Sequence, residues 1–409
     1  MKVAIDLRPL QVGHQNRGIG NYLLNILKYF PVEGVKYIFI RYDESNPIVD
    51  FGIKIGEQGY EEVVVKHYRF SRNPRELLFF VIGLLDPVYL KVGRHKPDIY
   101  FQSDYLFGIP RRWRTKKVVV AYDLIPFLFR NMYMPRWTKY VGMRHLRIRS
   151  RLLQSVRAYF YERKYKTGLK TLRRANLVLS ISETTTKDLV TVARISPKKI
   201  RTIRLAPSFV SAEKIDSNKQ LLSQIKNISG NYLLFIGGTD ARRQVHELIF
   251  AFNQLNARGY DFSLVLAGSE FVEKSKELNP KTRKAIEASS YREKIHMLGK
   301  ISEQEKRFIL ENAFAFVYPT LYEGFGLPVL EAMAQSCPVI SYDNPAIQEV
   351  AKDAAHYIDP GQGGFGIYKG VITLTDQQKR RALIERGVTV SETFDWEETG
   401  KKTIEAILG

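Results

Sequence analysis

The chain has 409 residues, more than one ordinary domain holds, because cores rarely grow past about 250 to 300 residues before splitting. Its 44% hydrophobic content excludes a disordered chain, and its single cysteine, Cys337, excludes an intrachain disulfide and a thiolate cluster, as fits a reducing compartment. A net charge of +21 implies anionic company without choosing among nucleic acid, a membrane face and phosphorylated small molecules.

In chain order, MKVAIDLRPL reads as a first strand, Val3 to Leu7, with too short an apolar run for a secretory signal. The loop QVGHQNRGIGNYLLNIL follows. Gly13 and Gly18 are spaced as in a P-loop, but Ile19 and Gly20 stand where that motif needs Lys and Ser or Thr. A dinucleotide fingerprint fails too, since Leu23 occupies the place of its third glycine. What remains is a glycine loop entering a helix, at which Gly18 and Gly20 would let backbone N–H groups approach an anion or a sugar; a tight turn explains it equally well.

Further strands are expected at Tyr37 to Tyr42, Val63 to Val65, Ile99 to Phe101, Val118 to Tyr122 and Leu177 to Ile181. A second series runs through Tyr232 to Ile236, Ser263 to Ala267, Ile295 to Leu298, Ala315 to Tyr318 and Val339 to Tyr342. Such continuous apolar strands, alternating with helical patterns, suit parallel sheets covered on both faces. The run Leu77 to Leu85 is well short of the ~20 residues that span a bilayer and reads as a buried helix, with a helix dipping into a membrane surface as the alternative. The expected architecture is α/β: two doubly wound, Rossmann-like domains facing across a cleft. They would cover residues 1–207 and 231–390, joined by a polar linker at 208–230, with a C-terminal helix in 391–409 packing back on the first domain.

Two strand-end loops in the second half carry charge. After YLLFIGG, Arg242 and Arg243 precede an amphipathic helix, where guanidinium forks and the helix start would hold a diphosphate; two solvated arginines are the bland alternative. The strand ending at Tyr318-Pro319 runs into Leu321-Tyr322-Glu323-Gly324-Phe325-Gly326-Leu327, and Pro328 suits the first turn of a helix carrying Glu331. Glycines at a helix start make an anion site. Glu323 and Glu331 beside that site need hydroxyls to bind, which a nucleotide sugar supplies through its ribose diol and its hexose.

EGFGLPVLE, Glu323 to Glu331, resembles the E-x7-E motif of the retaining glycosyltransferases called family 4, which have the GT-B fold. RGIGNY, YDLIPF, LSISETT, FIGGTDARRQ, LVLAG, MLGKISEQE and FDWEE stand in that family's order over nearly the whole chain. The resemblance implies that Glu323 contacts the donor sugar near the reacting carbon and that Glu331 binds the ribose. Backbone at Gly238, Gly324, Phe325, Gly326 and Leu327, together with Gly18 and Gly20, would line the donor. Arg242 and Arg243 match the family's Arg-Lys diphosphate clamp, with Arg243 where Lys is usual, so Arg243 is assigned a catalytic role beside Glu323. Tyr122-Asp123 stands where His-Asp is common; the acceptor side is therefore assigned to Tyr122 and Asp123, with Asp123 the better catalytic carry-over.

The resemblance implies net retention and transfer without a metal, and the sequence has no D-x-D pair and no HxH or HExxH spacing. No cofactor is expected beyond the nucleotide-sugar donor, for which a UDP-hexose is the first expectation. Residues 136–174 carry a single acidic residue, Glu162, among many cations, which suits an anionic membrane surface bearing a glycan or lipid-linked acceptor; a solvated helix face and a nucleic-acid site are the other readings. The expected protein is cytoplasmic and peripheral to the inner membrane face, with no nucleic-acid partner. An epimerase or phosphorylase of the same fold, and a basic nucleic-acid-binding protein, are the alternative functions.

Overall fold

The computed structural model describes residues 1–11, 18–31, 33–42, 60–65, 88–110, 114–133, 148–207, 228 and 230–409. Residues 12–17, the apolar run 77–85, residues 136–147 and nearly all of 208–230 lie outside the described residues. The chain divides into two compact units, Met1–Leu205 with Trp396–Gly409, and Ala206–Asp395.

The first unit holds a seven-stranded sheet in the order β3-β2-β1-β4-β5-β6-β7. Its strands are β1 (Lys2–Asp6), β2 (Lys36–Tyr42), β3 (Glu61–Val65), β4 (Ile99–Gln102), β5 (Lys116–Ala121), β6 (Leu177–Ser180) and β7 (Ile200–Thr202). Every pairing is parallel. The second unit repeats the pattern as β10-β9-β8-β11-β12-β13. There β8 is Asn231–Ile236, β9 Phe262–Ala267, β10 Ile295–Gly299, β11 Ala315–Tyr318, β12 Val339–Tyr342 and β13 Ala355–Ile358. All six residues of β9 are buried, as a strand covered on both faces requires. In both sheets the order reverses beside the first strand, at β1/β4 and at β8/β11. Chains leave such a switch point in opposite directions and open a crevice at the strands' carboxyl ends.

Among the helices, α1 (Gly18–Leu27), α2 (Ile148–Arg174) and α3 (Glu183–Thr191) belong to the first unit. Helices α4 (Val245–Ala257), α5 (Glu303–Glu311) and α6 (Leu327–Ala334) belong to the second. The C-terminal helix α7 (Trp396–Leu408) returns to the first. It lies on α1 so closely that a Cβ at Gly400 would sit 2.2 Å from the Tyr29 ring, while Tyr22 Oη meets Thr403 Oγ1 at 3.2 Å. Lys116 Nζ donates to the Ile407 carbonyl at 3.0 Å, which closes the end of α7 onto β5.

Residues 391–395, grouped by sequence with the C-terminal helix, belong instead to the second unit. The physical reason is local: Ser391 ends the preceding helix Gln377–Ser391, and Phe394 packs edge-on against Phe325 with ring centroids 5.9 Å apart. Two strands, β7 and β13, had no sequence counterpart.

Candidate functional site

The second unit brings Arg242, Arg243 and Glu323 together beyond the carboxyl ends of β8 and β11, its switch point. The floor is aromatic: Tyr318 stacks on Phe235 and on Phe316, with centroids 5.9 and 5.5 Å apart. The loop leaving β11 is tied down from three sides. Ser341 Oγ donates to the Tyr318 carbonyl at 2.9 Å, Asn344 Nδ2 to the Thr320 carbonyl at 3.0 Å, and Leu321 N–H to the Arg242 carbonyl at 2.9 Å.

On that base Glu323 is buried and its Oε1 collects four donors. Tyr318 Oη reaches it at 2.8 Å, Thr320 Oγ1 at 3.2 Å, Arg243 Nε at 3.3 Å, and Arg242 Nη1 in the closest contact. Burial alone would raise this carboxyl, but the Arg242 and Arg243 guanidinium groups outweigh it and hold Glu323 down at about 2. Burial pushes the Tyr318 phenol up, so it stays protonated and keeps donating. Glu323 is therefore an anion throughout the neutral range. A carboxylate in that state stabilises positive charge; it has no proton to lend.

The two arginines have different positions. Arg242 is buried and turned inward, and its Nη1 also donates to the Tyr322 carbonyl at 2.6 Å. Arg243 has a more open side chain, 20% exposed against 8% for Arg242. It lies over the Tyr318 ring at 5.9 Å and reaches the Gly238 carbonyl at 3.4 Å. Of the two, Arg243 offers the more exposed guanidinium to an incoming anion, while its Nε stays on Glu323.

Helix α6 begins at Gly326, whose φ of +113° belongs to glycine, and whose Cβ would meet Ile347 Cδ1 at 2.6 Å. Pro328 stands in the first turn, and the first N–H groups of a helix have no intrahelical acceptor. The turn Gly324-Phe325-Gly326-Leu327 thus brings the positive end of α6 beside Glu323, with Phe325 itself buried. Glu331 lies on α6, buried, and its Oε1 accepts from Lys306 Nζ at 2.8 Å.

Sequence reasoning did not single out Lys306, nor Thr320, nor Glu270, whose Oε2 accepts from the Thr239 N–H at 2.7 Å and fixes the turn containing Gly238. A Thr two residues after the strand end was a legible signal for Thr320. Lys306 and Glu270 gave none, because each looks like an ordinary charged residue until the sheet brings its partner near.

The other assigned residues lie in the first unit. Among the described residues Gly18 opens α1 with open space where a Cβ would stand, and Gly20 is buried two residues later. Tyr122, assigned with Asp123 to the acceptor side, lies just beyond β5 and is buried, with its ring edge-on to Tyr22 at 5.9 Å. Asp123 is half-buried, and its Oδ1 accepts from the Ile125 N–H at 3.0 Å.

Residues 218–387 match the family model described as Glycosyl transferases group 1. Several solved structures align over the whole chain. WaaG, a glycosyltransferase involved in lipopolysaccharide biosynthesis, matches at TM-score 0.63 and 17% identity, covering 100% of both chains. HepE of Anabaena, solved in complex with UDP and glucose, matches at TM-score 0.67 and 15% identity, again over 100% of both. The chain has the GT-B fold. Among curated proteins, O-antigen chain mannosyltransferase B of Escherichia coli is 26% identical over 239 residues, 58% of this chain and 61% of that protein. The chain thus spans about three fifths of that relative's length.

Proposed function

We propose that this chain is a retaining glycosyltransferase that moves a hexose from a nucleotide sugar to a growing polysaccharide or lipid-linked oligosaccharide. The observation that carries the reading is the Glu323 carboxylate, caged by Arg242, Arg243, Tyr318 and Thr320 at the switch point and held well below the usual carboxylate range by the two guanidinium groups, with α6 and its buried Glu331 following in the chain. In this reading the diphosphate lies against Arg243 and the first turn of α6, the hexose against Glu323, and the ribose diol against Glu331. As the glycosyl bond breaks, negative charge grows on the diphosphate and positive charge on the sugar ring. Arg243 and the helix end stabilise the first, and the Glu323 carboxylate the second. Those cations do the work a metal would do elsewhere, so neither metal nor other cofactor is required.

Asp123, half-buried at the end of β5, is the acceptor-side residue of the proposal. The curated relative's name favours mannose as the sugar, while a UDP-hexose is the donor expected from sequence. No helix of the described residues is long and apolar enough to cross a membrane. A peripheral position on the inner face is proposed through residues 136–174. Within them Arg163, Lys164, Lys166 and Lys170 are exposed on α2, near exposed Leu128 and Met132; Arg130 Nη2 joins the two segments by donating to Glu162 Oε1 at 3.0 Å. Cations near an anionic leaflet contribute about 1 kcal/mol each.

A thermal-shift panel of UDP-, GDP- and ADP-hexoses, followed by product analysis with and without a glycan acceptor, tests the function. One base is expected to raise the melting temperature, with sugar transferred only when acceptor is present. Acceptor-independent release or rearrangement of the sugar would favour an epimerase or phosphorylase instead. Stabilisation by none of the donors would overturn the proposal.

A further inference from the structure

Lys306 stands one turn into α5, the helix that follows β10, and is not part of any motif read from the sequence. Its ammonium donates to Glu331 Oε1 at 2.8 Å and pairs with Glu303 Oε2 at 2.6 Å. The Lys306 and Glu331 side chains are 13% and 8% exposed, so this is an ion pair largely out of water, whereas Glu303 is 40% exposed. The helix that carries Lys306 is anchored at its first turn by a capping box. Ser302 Oγ accepts from the Glu305 N–H at 3.3 Å, and Glu305 Oε2 accepts from the Ser302 N–H at 2.7 Å. Lys306 is therefore presented from a fixed backbone.

We propose that Lys306 is a positioning residue that sets Glu331 for recognition of a vicinal diol on the nucleotide's ribose. The inference rests on the reading of Glu331 given above and adds the group that makes it selective. A diol recognised by a carboxylate needs an ionised, fixed anion, because both hydroxyls must donate to oxygens at set positions. A long acidic side chain left to itself loses rotamer freedom when it binds, and burial without a cation would favour its neutral form. Lys306 removes both penalties. It compensates the charge where water is scarce, and its bond to Oε1 fixes the carboxylate plane before the ligand arrives. Each carboxylate oxygen has two lone pairs, so the Lys306 bond does not use up the acceptor capacity of Oε1. Burial opposes the charge on Lys306, and Glu331 and then Glu303 outweigh it, which keeps the lysine protonated at any pH at which the enzyme would work.

The test is isothermal titration of UDP and 2′,3′-dideoxy-UDP, with the matching guanosine pair run in parallel, on the wild-type chain, Lys306→Met, Lys306→Arg and Glu331→Gln. Wild type is expected to prefer the ribonucleotide by roughly tenfold to hundredfold, the size of a lost pair of hydrogen bonds to a charged group. In Lys306→Met that preference falls toward one, and Lys306→Arg restores part of it. In transfer assays, Lys306→Met raises the KM for donor and leaves kcat within about twofold, a split that general unfolding would not produce. A wild-type preference persisting in Lys306→Met overturns the role of Lys306, provided Glu331→Gln has lost it. If Glu331→Gln keeps the preference too, the ribose assignment itself fails.

Discussion

Glu323→Gln is expected to lower kcat by about two to three orders of magnitude, the usual cost of removing one preorganised charge from a transition state. The amide keeps an oxygen in place for Tyr318, Thr320 and the two arginines, so the cage is preserved while its anion is lost. Only the charge changes. The effect must therefore appear in turnover at saturating donor rather than in nucleotide binding, and steady-state kinetics separates the two. Because Glu323 sits near 2, its protonation does not shape the pH profile of the wild-type enzyme in the neutral range. A variant with near wild-type kcat would show that the carboxylate does not touch the reacting sugar.

Arg242→Met is the second large effect, and it falls on stability as well as activity. Removing one partner of a buried ion pair leaves the other uncompensated, at a cost of about 3 to 5 kcal/mol. Arg242 also supports the Tyr322 carbonyl, so the loop carrying Glu323 loses two restraints at once. The denaturant midpoint of the second unit should fall accordingly, and Glu323→Gln added to Arg242→Met should recover part of the loss. Acid sensitivity moves with it. A carboxyl lowered from 4.5 in the unfolded chain to about 2 in the folded one contributes stability that is complete above about pH 4.5 and is lost as pH falls toward 2. Without Arg242 the folded value rises, so the variant should show less of this acid-side loss and a lower plateau at neutral pH. An unchanged midpoint would mean that Arg242 is not the compensating charge.

The strand series of both units was legible because parallel strands buried on two faces are continuous apolar runs, as in β5 and β9. β7 and β13 were not. Ile200–Thr202 is three residues with two polar members, and Ala355–Ile358 contains a histidine; both lie at sheet edges, where one neighbour is missing and short, mixed strands suffice. At the site, Glu323, Gly326 and Glu331 were readable since turn and helix chemistry is local. The division of labour between Arg242 and Arg243 was not, because adjacent identical residues acquire different environments only when the β11 loop folds over one of them. Lys306 was hidden for the same reason: in sequence it is a helix-surface lysine three residues from Glu303, and its second carboxylate comes from another helix.

Glu323 and Glu331 are proposed to grip one donor at two places, its hexose and its ribose. Calorimetric affinities of a bare nucleoside diphosphate and of the matching nucleotide hexose, compared in wild type, Glu323→Gln and Glu331→Ala, test it most directly. Glu331→Ala is expected to weaken both ligands alike, while Glu323→Gln binds the bare diphosphate normally and loses only the increment contributed by the hexose. Unchanged affinities for both ligands in Glu331→Ala, or an intact hexose increment in Glu323→Gln, would contradict it.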